Sequence, residues 1–433
     1  LVMALVNRPL INTATSRITD LPSMAHVSLT PIAIKKLIVN KNMKHYNFDE
    51  VIERHGTSCV KFDRLKEMFG DENLIPLWVA DMDFRTPDFI VEALKKRCEH
   101  EIFGYTFGSD EYYESIINWV HYKHNWKIQR EWISYIPGIV KGIAFAIQCF
   151  TQKGDKVIIQ PPVYHPFRIV PEKMKREVVY NPLKMVDGVY EMDFDHLESI
   201  IDDKCKVLIL CNPHNPGGIV WKKETLVRLA EICAKHNILV ISDEIHAEMA
   251  YPQYTHYPFA SVSDTAASCS ITFMAPSKTF NIAGIVTSYA IVPNDRIREE
   301  FYSFLEAGEF GDGTIFAYTA TTAAYTYGAE WLQQMRMYIM ENVRFVEEFM
   351  KLHLPKIKAY QPQASFLVWL DCRELKLSQD ELVHLFKDNA GLALNDGSIF
   401  GPGGEGHMRL NIGCPRSVLD KAMNALKKAV DKK

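Results

Sequence analysis

Short apolar runs rich in β-branched residues alternate with longer amphipathic stretches from about residue 130 onward. This alternation is typical of βαβ units, and it predicts an α/β protein with a mostly parallel mixed sheet flanked by helices. The candidate strands are nearly apolar throughout, as strands covered on both faces must be. They are Lys156–Gln160, Val207–Cys211, Ile238–Ser242, Ile271–Ala275 and Ile285–Val292. Apolar residues three or four apart predict helices over 224–236, 330–350 and 379–390.

The two ends of the chain differ from this alternating middle. Residues 44–90 are irregular and aromatic, whereas the last hundred residues return to helix, strand and turn. We therefore expect a large domain over 91–325 and a smaller, discontinuous α+β domain built from 44–90 plus 326–433. Residues 1–43 are a basic extension, which we interpret as an organelle-targeting segment, a disordered tail or an artefact of translation upstream of the folded domains.

Charge and composition exclude several classes of partner. The 433 residues include 49 Lys and Arg against 53 Asp and Glu, so a net charge of -4 gives no electrostatic reason for nucleic-acid binding. No stretch approaches the roughly 18 apolar residues of a membrane-spanning helix. Nine cysteines without a CxxC pair indicate buried thiols in a reducing compartment and no metal site. We expect a soluble, cytoplasmic protein with neither a membrane nor a nucleic-acid partner.

A lysine and a carboxylate directly follow two of the predicted strands. Lys278 lies in Ala275-Pro-Ser-Lys-Thr-Phe-Asn281, and Asp243 follows the strand that ends at Ser242. Most lysines are solvated surface residues, but desolvation at a strand end lowers the pKa and makes the amine a nucleophile able to form a Schiff base. Ligands gather at the carboxyl ends of strands in open α/β sheets, so both side chains should reach one crevice. Asp243 could equally cap the next helix.

Two turns complete this candidate crevice. The segment Asn212-Pro-His-Asn215-Pro-Gly-Gly is rigid and fixes an amide side chain, although the turn alone explains its composition. Gly138 precedes an apolar helix whose free N–H groups suit a phosphate. A Schiff-base lysine, a carboxylate for a pyridinium nitrogen, an amide for a phenolic oxygen and a helix start for a phosphate are what pyridoxal phosphate (PLP) needs.

Seven sequence blocks occur in an order that matches one enzyme family. They are Leu77–Phe84, Phe103–Thr106, Gln160–Phe167, Asn212–Gly217, Ser242–His246, Ala275–Gly284 and Met408–Arg416. In these blocks the chain, from about residue 44 to its end, resembles the fold-type I PLP enzymes, and specifically the MalY/PatB-type carbon–sulfur β-lyases. The resemblance implies a homodimer that eliminates a thiol or sulfide from cystathionine or cysteine-type thioethers, giving pyruvate and ammonia.

Carried over by position, the resemblance implies a role for each site residue. Lys278 holds the cofactor and later acts as the base, Asp243 pairs with the ring nitrogen, and Asn215 donates to the phenolic oxygen. The other implied contacts are Tyr164 stacked on the ring, His246 beside it, Ile139, Val140 and Ser277 at the phosphate, Tyr105 of the neighbouring subunit at the phosphate and in catalysis, and Arg409, Ala80 and Asn215 at the substrate. Arg409 would bind the α-carboxylate as a bidentate fork.

Three positions depart from the wider pattern. Ala275 stands three residues before the lysine, where many fold-type I enzymes have a hydroxyl, which removes one phosphate contact. His246 replaces the tyrosine of many aminotransferases, and Glu248 stands where we expect aspartate. Gly401–Gly406 fits G-x-G-x-x-G literally but precedes a strand, so it is interpreted as a turn. The alternative functions are an aminotransferase and a cofactor-bound regulatory or interaction protein.

Overall fold

The computed structural model describes residues 44–186 and 188–432. The predicted extension over 1–43 lies outside the described residues. The strands are β1 (Ile75–Pro76), β2 (Ile133–Ile136), β3 (Lys156–Ile159), β4 (Glu177–Tyr180), β5 (Lys184–Val186), β6 (Val189–Glu191), β7 (Cys205–Cys211), β8 (Leu239–Asp243), β9 (Ser270–Met274), β10 (Ser288–Ile291), β11 (Lys358–Tyr360), β12 (Leu367–Asp371), β13 (Leu392–Ala393), β14 (Asn395–Asp396) and β15 (His407–Asn411).

Fourteen α-helices connect and cover these strands in the described part of the chain. They are α1 (Val60–Asp63), α2 (Leu65–Phe69), α3 (Asp88–Cys98), α4 (Asp110–His124), α5 (Ile139–Phe150), α6 (Pro166–Lys173), α7 (Phe194–Ile200), α8 (Lys223–Lys235), α9 (Asp264–Ser268), α10 (Asp295–Ala307), α11 (Ile315–Tyr327), α12 (Ala329–His353), α13 (Gln379–His384) and α14 (Arg416–Asp431).

The central sheet has seven strands in the order β2-β10-β9-β8-β7-β3-β4. The five strands from β9 to β4 run parallel, and β10 is antiparallel to both of its neighbours. Every residue of β8, β9 and β10 is buried, because helices cover both faces of such a sheet. The predicted α/β class and the mostly parallel mixed sheet are confirmed.

A second, antiparallel sheet lies near the C-terminus, in the order β11-β12-β15-β14. Its apolar side chains share a core with the buried faces of α12 and α14. In α14 that face repeats every three or four residues, as in Leu419, Met423 and Leu426. Tyr46–Lys433 group into one compact unit. The division into a large and a smaller domain therefore stays a prediction.

Several element boundaries differ from those predicted. β10 begins at Ser288 rather than Ile285, because Ala283–Ile285 form a 3₁₀ turn and Val286 has a left-handed φ of 58° that interrupts extended backbone. The helix predicted over 379–390 ends at His384 and continues as a π turn over Leu385–Asn389. No helix within 44–186 or 188–432 is long and apolar enough to span a bilayer.

Candidate active site

A cavity of about 290 Å³ lies at the carboxyl ends of the parallel strands β7, β8 and β9. The parallel arrangement brings the residues after each strand to one edge of the sheet. Nine of the predicted site residues line this cavity. They are Ala80, Ile139, Val140, Tyr164, Asn215, Asp243, His246, Ser277 and Lys278.

Lys278 reaches into the cavity from the turn that follows β9. Its Nζ donates a hydrogen bond to the carbonyl oxygen of Ala80 at 2.5 Å. Burial lowers the pKa of Lys278, the carboxylates of Asp81 and Asp243 oppose this, and the cation of Arg409 adds to it. The site therefore holds more of the amine in its uncharged, nucleophilic form than water would.

Asp243 is the last residue of β8 and is 5% exposed. Its Oδ1 accepts a hydrogen bond from the backbone N–H of Ile245 at 3.1 Å. No ion-pair partner lies within 4 Å of it in the described part of the chain. Burial consequently raises the pKa of Asp243 to about 7, despite the N–H of Ile245, which lowers it. The helix-cap alternative fails, because this bond goes to a turn.

Asn215 and Arg409 are joined by a hydrogen bond that fixes the orientation of the amide. Arg409 Nη1 donates to Asn215 Oδ1 at 3.0 Å, and Nη2 donates to Trp78 O at 3.0 Å and to Asn395 Oδ1 at 2.6 Å. Because Oδ1 accepts from the guanidinium, the Nδ2 group of Asn215 is left as the donor. Arg409 is 4% exposed, and its Nε has no partner within the part of the chain that the structure describes. Burial lowers the pKa of Arg409 to about 10.

The turn at Gly138 opens α5 onto the cavity. Gly138 has φ 106°, a left-handed value that favours glycine, and its N–H donates to Ser288 Oγ at 3.0 Å. The N–H groups of the first turn of α5, from Ile139 up to the residue before Gly142, have no intrahelical acceptor and can bind an anion. Ser277 lies beside this end of the cavity, whereas Ala275 contributes no hydroxyl there.

Tyr164 and His246 line the cavity between these groups. The backbone N–H of Tyr164 donates to Asn215 O at 3.0 Å, which ties the aromatic residue to the amide turn. His246 is 3% exposed, and its Nδ1 has no partner. Burial, aided by the cations of Lys278 and Arg409, lowers the pKa of His246 to about 3, so the imidazole is neutral.

Tyr105 does not reach the cavity within one chain. Its side chain is fully exposed, and Ile102, Phe103 and Phe107 beside it are also exposed. Arg409 is likewise not among the lining residues and meets the site through Asn215. The predicted roles of both residues stay predictions.

The segment 78–83, which we call the strap, entered the sequence analysis only through the family block Leu77–Phe84 and through Ala80, and its contacts were missed. The backbone carbonyls of the strap accept from Lys278 and Arg409, and Asn411 Nδ2 donates to Val79 O at 2.6 Å and to Asp81 O at 2.7 Å. These contacts join residues more than 190 positions apart, and no local pattern reports them.

Further lining residues were not among the predicted site residues, and four of them carry a polar group or a thiol. Lys141 lies in the first turn of α5 and is the additional cation at that end of the cavity. The hydroxyls of Thr287 and Ser288 are already bonded, to Thr321 Oγ1 and to Ile136 O, each at 2.8 Å. Cys211 is the fourth. The sequence carried one signal for these residues, namely that Lys141 lies in the first turn of a predicted helix.

The fold and the site together define a class of enzymes. The family model described as "Aminotransferase class I and II" matches residues 72–426, most of the chain. The chain therefore belongs to the class I and II aminotransferase family.

The relatives narrow this class. The chain is 44% identical over 385 residues to cystathionine beta-lyase PatB of Bacillus subtilis (strain 168), covering 89% of this chain and 100% of the relative. It is 33% identical over 391 residues to protein MalY of Escherichia coli (strain K12), covering 89% and 99%. The resemblance to MalY/PatB-type proteins is confirmed.

Solved structures agree with the sequence relatives. Cystalysin from Treponema denticola, which contains a pyridoxal 5'-phosphate cofactor, has a TM-score of 0.87 at 35% identity over 90% of this chain and 100% of that chain. The PLP-bound C-S lyase from Staphylococcus hominis has a TM-score of 0.83 at 34% identity over 89% and 98%. The fold-type I architecture is thereby confirmed.

Proposed function

We propose that the protein is a PLP-dependent carbon–sulfur β-lyase that converts cystathionine or cysteine-type thioethers to a thiol or sulfide, pyruvate and ammonia. The observation that carries the proposal is that Lys278, Asp243 and Asn215 line one cavity. Relatives named as cystathionine beta-lyases and a C-S lyase cover most of the chain. Their names favour elimination over transamination.

The groups left without partners in the cavity fit the polar groups of PLP. Asp243, buried without a cation in the described part of the chain, suits a protonated ring nitrogen. The Nδ2 donor of Asn215 suits the phenolic oxygen, and the start of α5 with Ser277 suits the phosphate. Tyr164 supplies an aromatic face. The residues present therefore match the cofactor.

Each residue then has a task. Bound PLP supplies an electron sink for the electrons left when a proton is removed from the substrate Cα. Lys278 is the residue that would hold the cofactor through its amine, and the same amine lies where it could accept that proton. Asp243, ionised, keeps the proton on the ring nitrogen. Arg409 binds the substrate α-carboxylate with its free Nε–H and so orients the amino acid.

We further propose a cytoplasmic homodimer in which Tyr105 completes the site of the partner subunit. An exposed apolar segment with Ile102, Phe103, Tyr105 and Phe107 supports this, because large exposed apolar patches mark interfaces. All nine cysteines are free thiols, which fits a reducing compartment.

A product assay on the purified holoenzyme tests the proposed reaction. With cystathionine, cysteine and related thioethers, we expect pyruvate to form without any added keto acid, because elimination needs no amino acceptor. Lys278→Ala should abolish turnover and the Schiff-base absorbance. Turnover that requires a keto acid would instead establish the aminotransferase alternative, and a cellular role that survives Lys278→Ala would favour the interaction protein.

A further inference from the structure

Glu248 is a buried carboxylate for which the proposed reaction has no use. It is 1% exposed and lies in the 3₁₀ turn Ala247–Met249, a few residues after Asp243. Its Oε1 accepts from Trp119 Nε1 at 3.1 Å, and its Oε2 accepts from Thr279 Oγ1 at 3.2 Å. Burying a charge is costly unless such donors satisfy it.

The charge on Glu248 is stabilised from several sides. Burial raises the pKa of Glu248, but the hydrogen bonds and charges around the carboxylate outweigh burial and hold the pKa below its usual range. His124 Nε2 lies 3.8 Å from Oε1, beyond hydrogen-bond distance, and burial lowers the pKa of this histidine, so it contributes little positive charge. The cations of Lys123 and Arg336 also interact with this carboxylate. Glu248 is therefore ionised at neutral pH.

Thr279 is the residue directly after Lys278, in a segment that belongs to no helix or strand. The backbone there is held by two hydrogen bonds, from Phe280 N to Pro276 O and from Ile282 N to Ser277 O, each of 2.9 Å. Because this turn is not part of a helix or a sheet, its side-chain contacts help to fix it. They therefore help to set the direction of the Lys278 side chain. Thr279, 0% exposed, donates its hydroxyl to Glu248 and to no other group among the described residues.

The carboxylate of Glu248 thus connects the turn after Asp243 to the turn after Lys278. Trp119 strengthens the connection, since its ring also packs against Phe280 at 5.8 Å between centroids. An aspartate at position 248 would be shorter by about 1.5 Å and could not hold both donors at these distances. This gives a physical reason for the glutamate that we did not expect.

We propose that Glu248 is a positioning residue for Lys278 and acts through the hydroxyl of Thr279. The proposal rests on the proposed attachment of the cofactor to Lys278. It requires that the loss of the hydroxyl misplace the amine, slow the attachment of PLP and lower kcat more than it changes KM.

Thr279→Val tests this with little change of volume, and Thr272→Val is its matched control. Thr272 lies in β9, is 0% exposed, and its Oγ1 has no partner. We expect Thr279→Val to reduce, by about tenfold, both kcat and the rate at which apoprotein forms the Schiff base with added PLP, read from absorbance and from borohydride-trapped Lys278. Thr272→Val should match the wild type, and Thr279→Ser should restore the rate.

A double-mutant cycle with Glu248→Gln separates positioning from a general loss of packing. If Glu248 acts through Thr279, the double variant should be little slower than either single variant. Effects that multiply, or a Thr279→Val enzyme equal to Thr272→Val, would overturn the proposal. The PLP attachment rate needs no substrate, so a failed β-lyase assay with an altered attachment rate would disprove only the substrate class.

Discussion

Asp243 illustrates what a single residue contributes to this site. It ends a strand, meets no cation within 4 Å in the described residues, and its pKa is raised by burial to about 7 from 3.8. A carboxylic acid with a raised pKa stabilises the fold at low pH, and this contribution is lost as the pH rises from about 4 to about 7. Over this range the free energy of unfolding of the apoprotein falls by about 4 kcal/mol.

Asp243→Asn should therefore stabilise the apoprotein more at pH 8 than at pH 5. The buried aspartate loses its proton at the higher pH, at a cost in stability, whereas an asparagine does not ionise. Thermal unfolding of the wild-type and Asp243→Asn apoproteins across this pH range measures the difference in stability. The other titrating groups are the same in both proteins, so their effects cancel. The same variant should lose at least about a hundredfold in kcat, since an amide cannot hold the ring nitrogen protonated. A stability difference that is constant with pH would contradict the assigned pKa.

The sequence predicted three site residues because each comes after a predicted strand with a clear apolar run. They are Lys278, Asp243 and Asn215. Arg409 could be carried over from the resemblance, but its contacts with Trp78 and Asn395 could not, since they cross the chain at separations that no local pattern encodes. With the bond to Asn215, these contacts use three of its five N–H groups, including both on Nη2. The predicted bidentate fork through Nε and Nη2 would therefore require Nη2 to give up one of its present contacts.

At the scale of elements, the strap is held by a cluster of four charges, of which Lys61 and Asp83 are buried and Arg54 and Asp81 are partly exposed. Arg54 reaches Asp81 at 2.7 Å and Asp83 at 2.6 Å, and Lys61, 0% exposed, reaches Asp83 at 2.7 Å. Breaking such a cluster is costly because it leaves a buried charge without its partner. The cluster keeps the carbonyl oxygens of the strap at the site.

Arg54→Gln should destabilise the enzyme by about 2 kcal/mol and raise KM several-fold, because the strap contacts both Lys278 and Arg409. The matched control is Arg85→Gln, which removes an exposed ion pair with Glu50 and should change little. Urea unfolding and steady-state kinetics measure both variants. Equal effects of the two substitutions would show that the charge cluster does not support the strap.

The sequence predicted an element correctly where the spacing of its apolar residues and its length both indicated the same kind of element, as in β7 and β8. β10 was predicted to begin three residues too early, because Ile285 belongs to a 3₁₀ turn and Val286 lines the cavity. The strap was not predictable as an element at all. It is neither helix nor strand, and side chains distant in sequence, such as Asn281 and Asn411, hold it.

At the scale of the whole molecule, the proposed dimer gives a test by complementation. A Lys278→Ala subunit still carries Tyr105, and a Tyr105→Ala subunit still carries Lys278. If Tyr105 acts across the interface, each mixed dimer holds one complete site. A refolded equal mixture should then recover about a quarter of wild-type activity, although each variant alone is nearly inactive. Recovery no greater than the sum of the separate activities would refute the shared site.

The hydrogen bond between Arg409 and Asn215 has a consequence for ligand affinity. One amide accepts from the group that binds the substrate carboxylate and donates toward the position proposed for the cofactor. Any substrate that pulls on the guanidinium therefore changes how strongly the amide polarises the cofactor, and the two affinities are thermodynamically linked. Reciprocity then requires that a substrate whose affinity the cofactor changes must change the affinity of the cofactor by the same factor, so saturation with a substrate analogue should shift the Kd of the cofactor.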